Sequence, residues 1–269
     1  MRFFILFILI FPLTSFAGLN EIRVKNLSGD YSAPMGSGTF EKFSVDLSFL
    51  SPKYPFEISR TDTGYLLSTP MADIQWTKPP KFIHESHGLM VRGLDLKLGR
   101  GEHEVKAPFV SYAYQGAGAV GLDHPHLRCK GSYKNADFLY EVLGDCLNEM
   151  IFTSPKVQVP DDFFLHDLFR KIHGVESLPE SRFDDFLLTS REGDFYLYFL
   201  TRYYVRAGLR AWGKMSFDEK EEVLTIKINL VKFGIFPVTG VVMDEIKKKF
   251  EGTDVIVEPP YIRVKLKSE

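Results

Sequence analysis

The chain has 269 residues, of which 45% are hydrophobic, and 33 lysines and arginines face 35 aspartates and glutamates. That length and apolar content suffice for one large domain or two small ones around a sizeable core. A formal net charge of −2 argues against a nucleic-acid binder, which needs a basic surface, and against strong electrostatic adhesion to anionic lipid.

The first element is the run MRFFILFILIFPLTSFA at residues 1–17. Arg2 supplies a positive start, Phe3 to Leu13 an apolar core broken only by Pro12, and Ser15-Phe16-Ala17 the small residues that a signal peptidase reads. The run is shorter than the roughly 20 residues that span a bilayer. The expectation is a signal peptide cleaved after Ala17, a mature chain from Gly18, and a periplasmic or secreted protein. No Cys follows the cleavage region, which excludes lipid attachment there. Ile151–Val159 and Phe195–Val205 are the longest later apolar stretches, and Lys156 and Arg202 interrupt them. The mature chain is therefore expected to carry no transmembrane segment and to be soluble or membrane-peripheral.

Residues 18–134 read as a β-rich half, with short alternating runs divided by Pro and Gly. Asn26-Leu27-Ser28 fits a glycosylation sequon, which carries meaning only in a non-bacterial source. Thr39–Phe49 places Phe43, Val45, Leu47 and Phe49 on one face against Ser44, Asp46 and Ser48, the pattern of one half-buried strand. Pro79-Pro80 marks a rigid connection. Leu89–Leu98 reads as a second strand, with Gly93 as a bulge where the alternation shifts. Glu104–Tyr114 is a third, and Gly116-Ala117-Gly118 punctuates the chain after it.

Residues 135–269 read as an α+β half, separate from the first or continuous with it. From Asn135 to Met150, Leu139, Val142, Leu143, Cys146, Leu147 and Met150 fall at helical spacing, with Asp137, Glu141, Asp145 and Glu149 opposite. Gly144 weakens that helix by about 1 kcal/mol. A strand over Ile151–Val159 follows. Asp161 then caps a second helix striped by Phe164, Leu165, Leu168, Phe169 and Ile172 and ended by Gly174. Val175–Ser181 is a loop. Phe183–Leu188, Phe195–Leu200, Tyr203–Trp212 and Val223–Val231 read as strands. A helix over Val238–Phe250 carries Val238, Val241, Val242, Ile246 and Phe250 as its stripe, with Lys247, Lys248 and Lys249 where the helix dipole favours cations. After Gly252, two short strands flank Pro259-Pro260.

Cys129 and Cys146 are the only cysteines. In an oxidising compartment they form one disulfide, with two buried thiols as the alternative. In the chain-entropy model, closing the sixteen-residue loop between them contributes about 3 kcal/mol. The CxxC spacing of thiol exchangers is absent. No GxSxG elbow, Walker loop or GxGxxG motif is present, so no catalytic residue and no cofactor is nominated. His84, Glu85, His87, Asp123, His124 and His126 are the candidates for a metal-dependent hydrolase. The default for these histidines is surface or loop, and no metal is assigned. Asp161-Asp162, Asp184-Asp185 and Glu221-Glu222 are expected to be solvated or capping pairs.

The carboxy-terminal run Ile226–Val238, with its turn Gly234-Ile235-Phe236-Pro237-Val238, a helix, and then Val255–Leu266, resembles the end of tubular lipid-binding (TULIP-like) bacterial envelope proteins of the LmeA type. The resemblance covers about ninety residues, and its sharpest element is the G-x-x-P-V turn. It implies curved antiparallel strands rolled around a helix. No catalytic residue comes with it.

The residues alone point to an amphipathic helix between alternating strands, which leaves either an elongated apolar groove or a filled core. The expected fold is α+β, a curved and mainly antiparallel sheet packed on two or three amphipathic helices. The expected function is non-enzymatic binding of an apolar ligand, lipid before others. Phe233, Ile235, Val238, Val242, Ile246 and Phe250 are the groove candidates. The alternative is an envelope scaffold or protein-interaction module with a filled core.

Overall fold

The computed structural model describes residues 21–32, 35–45, 47–61, 64–68, 73–77, 86–99, 101–114, 118–131, 138–159, 182–202, 206–218, 220–251 and 255–265, together with His166, Arg170 and Gly174. The expected leader, the connection at Pro79-Pro80, the stripe Phe164, Leu165, Leu168, Phe169 and Ile172 and the loop Val175–Ser181 lie outside the described residues. His166, within that stripe's span, is buried with its ring 6.0 Å from that of Phe183.

Among the described residues, eighteen strands join in one sheet whose pairings are all antiparallel. The first five are β1 (Glu21–Ser32), β2 (Met35–Val45), β3 (Leu47–Thr61), β4 (Gly64–Ser68) and β5 (Asp73–Thr77). They run outward as a meander, each paired with the next. The chain then returns, and β6 (Ser86–Gly99) pairs along the free side of β1. From β6 the sheet continues through β7 (Glu102–Lys106), β8 (Phe109–Tyr114), β9 (Gly118–Asp123) and β10 (His126–Lys130). It passes to β11 (Glu149–Gln158), β12 (Arg182–Arg191), β13 (Asp194–Arg202), β14 (Arg206–Asp218) and β15 (Val223–Phe233). The two-residue β16 (Phe236–Pro237) folds back on β15, and the hairpin of β17 (Val255–Glu258) and β18 (Tyr261–Lys265) joins β15 through β18. Because β10 pairs with β11, one sheet crosses the line between the two halves of the sequence.

Two helices are described, α1 (Phe138–Asn148) and α2 (Thr239–Phe250). α1 packs on β10, β11, β12 and β14, and α2 on β15 and β17. Glu149 and Met150, expected to close the first helix, open β11 instead, and residues 132–137 fall outside the described set. The β-branched run from Ile151 favours the extended chain, and Met150 is buried there all the same.

One face of the sheet carries the core. The register aligns Val24, Leu96, Val105, Leu127, Phe152 and Leu188 in a row across six neighbouring strand positions, and all six are buried. Alternate residues face the other way, so Arg128, Lys130, Glu149 and Ile151 are exposed.

Two expected strands are each divided. Thr39–Phe49 is divided between β2 and β3, with Val45 paired to Leu47 and Phe43 to Phe49. An antiparallel reversal keeps apolar residues at alternate positions, so the period does not reveal the turn. Glu104–Tyr114 breaks at Ala107-Pro108 into β7 and β8, because proline has no N–H to give the ladder. The register with β6 is the same on both sides of that break.

The break belongs to a line of irregularities at one height across the sheet. On β1, Asn26 has φ 50° and the register with β6 shifts between Val24 and Leu27. Opposite lies Gly93 of β6 with φ 60°, the bulge expected from the alternation. Ala107-Pro108 comes next, then His124-Pro125, where His124 has φ 47° and β9 gives way to β10. Pro155 of β11 and Asp185 of β12, with φ 54°, complete the line. The backbone groups displaced there find partners. Asp95 Oδ1 accepts from the Asn26 N–H (2.9 Å), Ser28 Oγ from the Gly93 N–H (2.8 Å), and the buried Ser154 hydroxyl donates to Asp123 O (2.8 Å). The Ala107 and His124 amides donate across the gap to Pro125 O (3.2 Å) and Pro108 O (2.8 Å). Bulged strands bend and twist more strongly, so this line is a crease.

Candidate functional site

The groove candidates gather where β15 turns into α2. Phe233 pairs with Phe236 and Lys232 with Pro237, leaving Gly234-Ile235 as a two-residue loop. Gly234 takes φ 58°, which this tight reversal requires and glycine supplies without strain. The turn is held on three sides. The Gly234 N–H donates to Gly208 O (2.9 Å), the Val238 N–H to Val231 O (2.9 Å), and the Val231 N–H to Thr239 Oγ1 (2.8 Å).

The candidates divide by depth. Phe233, Val238 and Val242 are buried in the core, and Ile246 and Phe250 pack half-buried against it. Ile235 points outward, 81% exposed, and its neighbour Phe236 is 66% exposed. Phe236 is not among the groove candidates, although its place between a turn glycine and Pro237 signals exposure.

The buried stripe of α2 also differs from expectation. Val241 is exposed, whereas Met243 and Glu245 are buried beside Val242. Adjacent helical residues lie about 100° apart, so an inward arc that holds both Val242 and Met243 leaves Val241 outside it. The helix turns toward Met243, the longer side chain. Lys247 and Lys248 are exposed near its end, as expected.

A second constellation lies on the core face at the other end of β13, where the last turn of α1 is clasped to the sheet. His103 Nε2 is 3.0 Å from Asp145 Oδ2, and both residues are buried. Cys146, the next residue, is disulfide-bonded to Cys129 of β10. Leu147 O accepts from the Ser190 hydroxyl and from the Gly193 N–H, and Asn148 O from the Glu192 N–H (2.6 Å). Four consecutive residues thus tie the helix end to β7, β10, β12 and the turn beyond. His103 Nδ1 accepts the Gly99 N–H at 3.3 Å, so Nε2 carries the proton and donates it to the carboxylate. Burial lowers the His103 pKa, outweighing the Asp145 bond and charge that raise it. With both ring nitrogens of His103 engaged inside the core, the pair positions α1. Asp145 was expected on the wet face of the helix. Its partner is forty-two positions away, beyond the reach of helical periodicity.

The exposed face of the sheet holds an open depression of about 1020 Å³ whose lining includes Arg128, Ile151, Tyr196 and Trp212. Along its border the register sets Glu102, Lys130, Glu149, Arg191, Asp194 and Lys214 side by side, alternating in sign. Lys130 reaches Glu149 at 3.5 Å and Lys214 reaches Asp194 at 3.2 Å. Such exposed pairs contribute about 1 kcal/mol or less each.

Of the histidine-region candidates, His84 and Glu85 lie outside the described residues, and for His87 only the backbone is described. His126 Nε2 meets Glu104 Oε1 at 2.8 Å, Asp123 accepts from Gln158, and His124 is exposed. Partial burial raises the Glu104 pKa, but the His126 bond and the nearby Lys106 and Lys97 prevail and leave it below its ordinary value. Among the described residues, no group of three His, Cys, Asp or Glu side chains is placed to hold a metal ion, and no helix is long and apolar enough to cross a membrane.

No family model, curated protein or solved structure matches the chain.

Proposed function

We propose that this chain is an exported, non-enzymatic binder of an apolar ligand, a lipid acyl chain, taken up between α2 and a sheet that curves around its helices. The observation that carries the reading is the graded exposure of the apolar residues from the β15–α2 turn along α2. Ile235 is exposed, Val238 and Val242 follow it in sequence and are buried, and Ile246 and Phe250 are half-buried further along the helix. A ligand entering beside Ile235 would displace few polar groups, and the half-buried pair would extend its contact along α2. Apolar pockets with few polar groups suit such ligands. The disulfide Cys129–Cys146 fits the oxidising compartment that the leader implies.

The test pairs binding with stability. Val242→Trp and Ile246→Trp are each expected to abolish binding of a fluorescent fatty-acyl probe while urea unfolding stays near that of the parent. In a filled core the same changes overpack and cost about 1–3 kcal/mol. Severe destabilisation, in a parent that never takes the probe, would retire the lipid reading. It would favour a scaffold or protein-interaction module, for which the charged depression on the other face is the natural contact surface.

A further inference from the structure

We propose that the Ile235–Phe236 tip is a wedge that seats this protein on a bilayer carrying anionic headgroups. The inference rests on the lipid reading above and names the surface from which the ligand would be taken. Two large apolar side chains stand 81% and 66% exposed at the end of a turn bonded to β14, β15 and α2. The tip is therefore held in its exposed form and needs no rearrangement to insert. Val241, 41% exposed, follows within the first turn of α2.

The size of the patch decides the partner. A stable protein interface buries at least about 1,000 Å², and two or three side chains supply a fraction of that. A fluid bilayer makes no such demand, since apolar side chains enter its headgroup–acyl boundary individually. Charge points the same way. Across Ala207–Arg210, Leu230–Phe233 and Phe236–Pro237 the only charged residues are Arg210 and Lys232, both cationic. The two are cross-strand neighbours, and Lys232 pairs with Pro237 at the base of the tip. Arg210 lies 5.9 Å from the centre of the Tyr198 ring, which steadies it. Cations so placed are drawn to an anionic leaflet once the tip has reached it. The first acid on the α2 side is Asp244, beyond the first turn. Since the apolar tip stands beyond these cations at the turn, insertion of the tip would set the orientation in which the protein meets the membrane.

Flotation with vesicles tests this, using phosphatidylcholine alone and phosphatidylcholine mixed with phosphatidylglycerol. The parent is expected to float with both and more strongly with the mixed vesicles. Phe236→Ser should lower partitioning about tenfold. Ile256→Ser, also exposed but on β17 near the far end of β15, should leave it unchanged. Lys232→Gln should erase most of the preference for mixed vesicles. A parent that never floats, a Phe236→Ser variant that floats like the parent, or a vesicle-free dimer that Phe236→Ser dissolves would each overturn the proposal, the last in favour of a second copy as partner. The acyl-probe assay in free solution separates this failure from that of the groove. Probe uptake without flotation defeats the wedge alone, and flotation without probe uptake defeats the groove alone.

Discussion

At the scale of single residues, the buried His103–Asp145 pair carries the sharpest consequence. A neutral imidazole sealed against a carboxylate makes folding sensitive to acid. Burial holds the folded pKa of His103 below its ordinary 6.5, so the unfolded chain binds this proton at a pH where the folded chain does not. The contribution of the pair is full above about pH 6.5 and declines as pH falls below it, until the folded imidazole itself protonates. Glu104 acts later. Its lowered pKa stabilises the fold above the ordinary carboxylate range, and that stabilisation is lost as pH falls through the folded value. His103→Gln isolates the first effect. Urea unfolding at about pH 8 should show the variant less stable by about 1–3 kcal/mol, and at about pH 5.5 the gap should narrow. A gap that did not change with pH would assign the acid sensitivity to other groups.

At the scale of elements, α2 offers a direct check on which face is buried. Met243→Ala should cost about 2–5 kcal/mol by removing side-chain volume from the core, whereas Val241→Ala should stay within about 0.5 kcal/mol. Equal effects in thermal unfolding would mean that the helix is rotated from the position described. The contrast shows what the amino-acid pattern could and could not convey. Period 2 and period 3.6 located β11 to β15, α2 and the bulge at Gly93, because each depends on residues near one another in the chain. The burial of Asp145, the division of Glu104–Tyr114 and the reversal within Thr39–Phe49 depend on partners or turns that periodicity does not encode. For the candidate site, the turn at Gly234 was legible, and so was the apolar character of Phe233 to Phe250. The division between the buried Phe233 and the exposed Phe236 was not, since it is set by β16 folding back on β15.

At the scale of the whole molecule, the disulfide fixes α1 to a sheet whose strands come from both halves of the sequence. Reduction should therefore be felt globally. Cys129→Ser and Cys146→Ser should each lower stability by about 3 kcal/mol, and reductant should bring the parent to the same level. Two alkylatable thiols in native, non-reduced protein would contradict the bond. The His103–Asp145 pair and the Leu147 contacts hold the same helical turn, so loss of the disulfide and loss of Asp145 are not expected to add independently.

The crease at Asn26, Gly93, Ala107-Pro108, His124-Pro125, Pro155 and Asp185 gives the sheet the mechanics of a scored plate. Within either panel, bending breaks ladder hydrogen bonds. Along the score, many dihedrals already lie outside the strand range, and the bonds are pinned by Asp95, Ser28 and Ser154 side chains. Shape fluctuations are therefore expected to concentrate on this line, with the panels on either side moving as stiffer units; amide exchange no faster along the score than within the panels would contradict this.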